Sequence, residues 1–398
     1  MARSRTDIFI AGGGIAGLSA ALAFARAGFS VVLASPEPPV TEGAEDGSDL
    51  RSTAFLQPAK ELYDEIGLWP ALAGEAVPLE GLRIVDAAGE PPAVRDSREF
   101  RADDLGQDCF GWNLINWRVN AALMEVLAAE PGVDLRFGAR FAGMTTRSAE
   151  VLVRLSTGDS VAAKLVIAAD GRNSAVREAA GIDVATTRYG QKALAFTVTH
   201  PVPHQNVSTE IYHEGGPFTM VPLPDLGGRP ASAIVWMNPS RRATDLAALP
   251  QAELESVMSA RSCHHLGPLT LTSPIRVWPI ISQRATRLAA ERTAILAEAA
   301  HVVPPIGAQG LNTSLNDVIA LRDLAVQDPA HLGGADMLAK FARARTLDIR
   351  ARVAAIDLFN RVTRSPAAAM QALRLNGLKA VYDLRPVRQA VMRFGMGG

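Results

Sequence analysis

A glycine cluster near the N-terminus limits the fold more than any other feature. Gly12-Gly13-Gly14-Ile15-Ala16-Gly17 is a G-x-G-x-x-G. Before it, Thr6 to Ala11 (TDIFIA) reads as a short buried strand. After it, Leu18 to Ala27 (LSAALAFARA) is a strong helix former, closed by Gly28, and Val31 to Leu33 reads as a second strand. Together they make a βαβ unit of about 30 residues. Gly12 permits the tight turn, Gly14 lets the backbone approach a pyrophosphate, and Gly17 lets the helix pack on the strand. The helix start then offers free N–H groups and a partial positive charge to phosphates, so a dinucleotide is the expected ligand. The acid that usually ends the second strand is missing. Ala34 and Ser35 stand there, and Glu37, after Pro36, is the nearest substitute for binding a ribose.

Further along, residues 36–50 form a Pro-, Gly- and acid-rich loop. Helices are expected at Gln57–Ile66 and Arg118–Ala129. One strand-like run (LRIVDA) lies within 74–101, and strands are expected at Val133–Phe137, Val151–Leu155 and Lys164–Ala169. Gln191–Pro201, Val207–His213, Phe218–Leu223 and Ala231–Asn238 read as an antiparallel sheet. Thr293–Leu296 returns to a buried strand, and after about residue 310 the pattern is helical. The expected class is therefore α/β. A Rossmann-like nucleotide-binding domain (1–75, 102–185 and 276–330) carries an inserted antiparallel sheet domain for substrate (76–101 and 186–275), and 331–398 is a helical C-terminal region.

A chain of 398 residues is long enough for two or three packed units. Lys plus Arg number 40 and Asp plus Glu 41, which gives no general reason to expect nucleic acid. Two cysteines, Cys109 and Cys263, make neither a disulfide framework nor a four-thiolate metal site; reduced thiols in a cytoplasmic protein are expected. Arg3 and Arg5 before the uncharged Ile8–Ala25 imitate an export signal, but Asp7 and the glycines argue against one.

Two more motifs follow. Val166-Ile167-Ala168-Ala169-Asp170-Gly171-Arg172-Asn173-Ser174, with Arg177 beyond, is a strand ending in an Asp-Gly turn. Ala297-Glu298-Ala299-Ala300-His301 leads through Pro304-Pro305-Ile306-Gly307-Ala308-Gln309-Gly310-Leu311-Asn312 into a helix containing Asn316-Asp317. Such a rigid Pro/Gly loop sets several N–H groups and a helix start against one flat polar ligand.

These three motifs, in this order, resemble the FAD-dependent aromatic hydroxylases, flavoprotein monooxygenases of the p-hydroxybenzoate hydroxylase type. There the third motif usually reads G-D-A-A-H-x-x-P-P-x-G-G-Q-G-x-N; here Ala297-Glu298 replaces Gly-Asp and Ala308 replaces a Gly. Asp49-Leu50-Arg51-Ser52-Thr53-Ala54, Gly216-Pro217-Phe218 with Val221-Pro222-Leu223, and the tail ending Arg393-Phe394-Gly395-Met396-Gly397 look like the ubiquinone-biosynthesis branch. The resemblance implies FAD, reduced by NAD(P)H, reacting with O2 to a flavin C4a-hydroperoxide that hydroxylates the ring of a polyprenylated phenol. It implies FAD contacts from Gly12, Gly14, Gly17, Arg51, Asp170, Gly171, Glu298, Gly307, Ala308, Gln309, Gly310, Leu311 and Asn312. Pro304, Pro305 and Gly307 would lie on the reacting side.

No protein base stands out. His301 suits a structural role, Tyr212 and His213 are candidates to face substrate, and His264-His265 lacks partners at metal spacing, so no metal is expected. From Lys340 onward, 12 Lys/Arg face three Asp, leaving the tail at +9 and residues 1–339 at −10. Apolar residues recur between those arginines at helical spacing. The tail therefore suits either the acidic body of the same chain or the inner face of a membrane or a biosynthetic complex. Two other functions fit the same fold: a hydroxylase of a small soluble aromatic, and a non-catalytic lipid-binding subunit.

Overall fold

The computed structural model describes residues 3–43, 47–213, 215–363 and 368–396. Residues 44–46 of the acidic loop, Arg364 of the basic tail and Gly397 lie outside the described residues. The N-terminal unit forms as its sequence requires: β1 (Arg3–Ala11), α1 (Ile15–Arg26) and β2 (Val31–Ser35). Then come β3 (Ser52–Leu56), α2 (Gln57–Glu65), β4 (Val77–Pro78), β5 (Gly81–Ala88), β6 (Ala93–Arg101) and β7 (Gly111–Ile115). α3 (Asn116–Ala128), β8 (Val133–Phe137), β9 (Phe141–Thr146), β10 (Val151–Leu155), β11 (Ser160–Ala168) and α4 (Ala175–Ala179) return the chain to the first layer.

The second layer contains β12 (Val184–Thr199), β13 (Val207–His213), β14 (Gly216–Leu226), β15 (Arg229–Pro239), α5 (Ser240–Ala247), α6 (Gln251–Arg261), β16 (Thr270–Leu271) and β17 (Arg276–Ala285). β18 (Ala289–Ala290), β19 (Thr293–Ile295), α7 (Ala297–Ala300), β20 (His301–Val302) and α8 (Gln309–Gln327) re-enter the first. α9 (Ala335–Thr363), α10 (Ala368–Asp383) and α11 (Arg385–Gly395) complete the chain.

Two large sheets and a small one organise these elements. The first runs β18-β19-β11-β1-β2-β8, with β9 and β10 attached to β11. Its inner strands β19, β11, β1, β2 and β8 are parallel. Helices cover them, so β2 is buried at every position, β11 is apolar along most of its length, and β1 is apolar from Ile8 to Ala11. Leu18, Leu22 and Phe24 of α1 are wholly buried there, each contributing about 1.5–3 kcal/mol of apolar burial. The second sheet runs β20-β17-β12-β15-β14-β13-β5-β6, and the third is β3-β7-β4.

Four features depart from the sequence reading. β6 is an edge strand rich in Arg, Asp and Glu that pair with Arg83 and Asp86 of β5 and with the Tyr382 ring, so no apolar alternation marks it. β9 likewise lacks a clear alternation. β17 falls within 276–330, yet it pairs along β12 in the second sheet. Its Pro279 is tolerated because the short β20 reaches only Gln283 and Arg284, leaving that edge open. Finally, α5 and α6 form where no helices are expected and cover one face of the second sheet.

One buried polar cluster ties the end of the first layer to the C-terminal helices. His301 Nε2 lies 2.7 Å from Asp317 Oδ2, and Arg345 Nε donates to Asp317 Oδ1 at 2.7 Å. Burial pushes the Asp317 carboxyl up, but the charges and hydrogen bonds of His301 and Arg345 outweigh it and hold it below the usual aspartate range. Its stabilisation is therefore present at neutral pH and lost as the pH falls through its lowered value. Replacing Asp317 by Ala leaves the buried Arg345 with Asp348 alone to answer its charge and should cost about 3–5 kcal/mol by urea denaturation at pH 7. The difference from the parent should shrink below the ordinary aspartate range, where the parent loses the same interaction.

Candidate functional site

The glycine turn is built by exclusion. Gly12 has φ +114°, and a Cβ there would lie 2.2 Å from the Ala169 carbonyl oxygen. A Cβ on Gly17 would lie 2.1 Å from the Gly12 carbonyl oxygen. Both positions accept only glycine, and the close approach locks the end of β1 to the end of β11. Gly14 is different: nothing lies within 4 Å of where its Cβ would be. It is also the N-cap of α1 and supplies no side-chain cap, so the first N–H groups of the helix have no side-chain acceptor from it. Ser35 rather than Glu37 stands beside this loop, since a Cβ on Gly13 would meet its Oγ at 2.9 Å. Glu37 is exposed.

The Asp-Gly turn adjoins the glycine turn, with the Asp170 backbone nitrogen 2.9 Å from the Cβ position of Gly12. Asp170 Oδ2 accepts from the Val176 N–H at 3.2 Å, whereas Oδ1 is buried and has no hydrogen-bond partner. A buried carboxylate oxygen without a donor is costly, and it marks a place where a ligand or its water belongs. Gly171 follows in the left-handed region at φ +83°. Arg177, buried behind the turn, donates to the Ala299 carbonyl at 2.9 Å and to the Arg172 carbonyl at 3.1 Å. That arginine joins the second motif to the third.

The third motif enters beside β11, where the Leu296 N–H donates to the Ala168 carbonyl at 2.9 Å. Ala297 then turns left-handed at φ +53°, and Glu298 is exposed. Pro304 and Pro305 precede a tight turn in which the Ile306 N–H donates to the Pro304 carbonyl at 2.7 Å. Gly307 at φ +62° and Ala308 at φ +55° complete the turn, and Ala308 is the N-cap of α8 without a side-chain cap. Both alanines that replace glycines thus adopt the conformation glycine favours.

The side chains of Gln309 and Asn312 are engaged within the protein. Asn312 donates to the carbonyls of Ala54 and Ala308, both at 2.7 Å, and accepts from the Leu56 N–H at 2.9 Å. Gln309 donates to the carbonyls of Gly307 and Gly395, both at 2.8 Å. Leu311 is partly buried, and no atom approaches the Cβ position of Gly310 more closely than Val303, at 4.0 Å. The uncapped start of α8 leaves backbone N–H groups for a ligand.

Arg51 borders this loop. Its guanidinium forks onto Asp49 with two bonds of 2.7 Å and lies 5.3 Å over the Trp278 ring of β17. The hydrogen bond to Asp49 raises its pKa, burial opposes, and the charges of Asp49 and Glu298 add to the rise. Trp278 was not singled out in the sequence, and Asp49 was named only as part of the stretch that carries Arg51. The two-residue spacing of Asp49 and Arg51 is the only local sign of their pairing.

The second sheet turns one face to this loop. Ala193, Met237, Ile280 and Tyr189 pack against Ile306 of the loop and Ile356 of α9. Its other face packs on α5 and α6. On β13, Ile211 points into that second core. Tyr212 lies on the opposite face, its ring edge-on to Phe359 of α9 at 5.5 Å and its hydroxyl donating to Glu210. Burial pushes the Glu210 carboxyl and the Tyr212 hydroxyl up. Glu210 is a buried acid that no sequence motif marked. His213 instead reaches the Gly89 carbonyl at 3.2 Å, and His301 is spent on Asp317. His265 contacts Arg83, and no group of three or more metal-ligating side chains occurs among the described residues.

A family model described as FAD binding domain matches residues 5–327. The ubiquinone hydroxylase UbiL of Rhodospirillum rubrum is 33% identical over 397 residues, covering 98% of this chain and 89% of the relative. The 3-demethoxyubiquinol 3-hydroxylase of Escherichia coli is 25% identical, with all of both chains covered. Among solved structures, p-nitrophenol 4-monooxygenase PnpA from Pseudomonas putida shares the fold, with a TM-score of 0.78 at 18% identity over 100% of this chain and 99% of that one. The uncapped glycine turn, the orphaned Asp170 oxygen and these matches agree: the chain belongs to the FAD-binding family of flavin-dependent aromatic hydroxylases, in the branch that includes the ubiquinone hydroxylases.

Proposed function

We propose that this protein hydroxylates the aromatic ring of a polyprenylated phenol in ubiquinone biosynthesis, using FAD, NAD(P)H and O2. The observation that carries the reading is the pairing of the unpartnered Asp170 Oδ1 with the open face of Gly14 at an uncapped helix start. Bound FAD, reduced by NAD(P)H, supplies the oxygen activation that side chains cannot. The protein binds and orients. Gly12, Gly14 and Gly17 admit the pyrophosphate to the N–H groups of α1. Asp170, Gly171, Arg51 and Glu298 would hold the ribityl and ribose portions. Gly307, Ala308, Gln309, Gly310, Leu311 and Asn312 present backbone N–H groups to the ring system, where the start of α8 favours negative charge. Pro304 and Pro305 stiffen the reacting side. In this reading the first sheet is the cofactor domain, and the second, including β17, is the substrate domain.

The names of the relatives support a prenylated substrate, and such a substrate resides in a bilayer. No described helix is long and apolar enough to cross a membrane. Peripheral contact is the alternative, and the outer faces of the last helices suit it. Leu384, Val387, Val391 and Phe394 form one exposed stripe on and just before α11, and Leu347 and Leu358 are exposed on α9. Lys340, Arg343, Arg350, Lys379, Arg385 and Arg393, on α9, α10 and α11, are exposed as well. We assign this surface to the anionic inner face of a membrane.

Three results are expected. The purified protein should show flavin absorbance bands, and a prenylated phenol should stimulate its NAD(P)H consumption more than the unprenylated ring does. Equal stimulation would favour a soluble aromatic substrate. Reversing Arg385 and Arg393 to Glu should reduce co-sedimentation with anionic vesicles at least tenfold and leave the weak binding to zwitterionic vesicles unchanged. Ala297→Gly and Ala308→Gly should each raise the urea midpoint. Left-handed alanine costs about 1–2 kcal/mol. Glycine loses about 0.4–1 kcal/mol of that through its freer unfolded chain, leaving a net gain of up to about 1.6 kcal/mol.

A further inference from the structure

Arg352 of α9 is buried, and Asp348, one turn earlier, answers its charge at 2.7 Å. The rest of its fork points away from that partner. Nη1 donates to Gln309 Oε1 at 2.6 Å and to the Phe394 carbonyl at 3.1 Å. The Phe394 ring packs against the guanidinium at 5.1 Å. Because arginine only donates, the oxygen of the Gln309 amide must face it, which turns the amide nitrogen toward the carbonyls of Gly307 and Gly395. One arginine and one amide thus join three segments distant in sequence: α9, the turn at Gly307–Gln309, and the last turn of α11. The helix end suits the arrangement. The last carbonyls of α11 lack partners within the helix and carry its partial negative charge, so a guanidinium and an amide N–H are favourable neighbours.

We infer that Arg352 and the end of α11 clamp the Gly307–Asn312 loop, which makes Arg352 a positioning residue for the flavin and the C-terminal helix a working part of the cofactor site. This rests on the reading that the loop holds the flavin ring. The clamp fixes the Gly307 carbonyl and the first residue of α8 from behind, through Gln309, without touching the ligand. Coupling between two events is reciprocal: if docking of α11 tightens the loop around FAD, then FAD tightens the docking of α11 by the same factor.

The reciprocity supplies the test. Hydrogen exchange of the backbone amides of residues 385–396 is compared in the full-length protein, stripped of FAD and reloaded with it. FAD should slow exchange there about tenfold. Arg352→Ala should abolish that slowing and weaken FAD binding, measured by flavin fluorescence on reconstitution, by a similar factor. Arg352→Lys keeps the charge but loses the planar fork, and should fall between. Phe394→Ala, at an exposed position, should weaken the coupling without unfolding the protein. Arg361→Ala, which removes an exposed ion pair with Asp357 on the same helix, should change neither quantity. If Arg352→Ala does not fold, the parent comparison and Phe394→Ala decide. FAD uptake with unchanged exchange at 385–396 would overturn the clamp alone. A protein that takes up no FAD would overturn the flavin reading and the clamp with it.

Discussion

The fold depends on one backbone approach that leaves no room for a side chain. At Gly12 the chain leaves β1 so close to the Ala169 carbonyl that a Cβ would sit at 2.2 Å, and the Gly17 turn closes on Gly12 in the same way. This contact brings the end of β1 against the end of β11 and sets Asp170 beside the start of α1. β19 pairs along β11, so the third motif follows into the same place. Three segments separated by well over a hundred residues meet because the carboxyl ends of parallel strands share one edge of the sheet. The space beside Gly14 stays open there because glycine carries no side chain to fill it.

The basic tail shows how little a net charge says about placement. Several of its arginines are spent inside the molecule. Arg345 is buried on Asp317, Arg374 on Asp86, and Arg388 meets Asp104 at the edge of the second sheet. A guanidinium withdrawn from water must find a carboxylate or carbonyls, and these pairs hold α9, α10 and α11 to the acidic body. Other cations of the tail remain at the surface, as does an apolar stripe. One set of the tail's arginines therefore packs inward and another faces out.

The departures at Ala297 and Ala308 carry a similar lesson. Each stands where the resembled motif has glycine. In the structure both keep the left-handed backbone that glycine would supply. The turn is held by its neighbours: Arg177 on Ala299, Asn312 on Ala308, and Gln309 on Gly307. Local strain persists where surrounding contacts over-determine the conformation.

Local physics made much of this molecule legible. The βαβ unit, the buried parallel strands, most of the antiparallel sheet and the helical tail all follow from apolar period, glycine and caps, which act within a few residues. The residues of the three motifs were legible for the same reason, since each needs a particular backbone at its own position. The charged edge strand β6, Pro279 within β17 and the helices α5 and α6 were not, because the pairing of charges across strands, the reach of a neighbouring strand and the need to cover a sheet face are properties of the packed chain. The same holds for the Glu210–Tyr212 pair, the Arg51 fork beneath Trp278 and the Arg352–Gln309 bridge to α11. The sequence by itself determined which backbone could hold a dinucleotide. Only the tertiary structure decided which distant side chains support that backbone, because hydrogen bonds between remote segments exist only once burial has brought them together and removed the competing water.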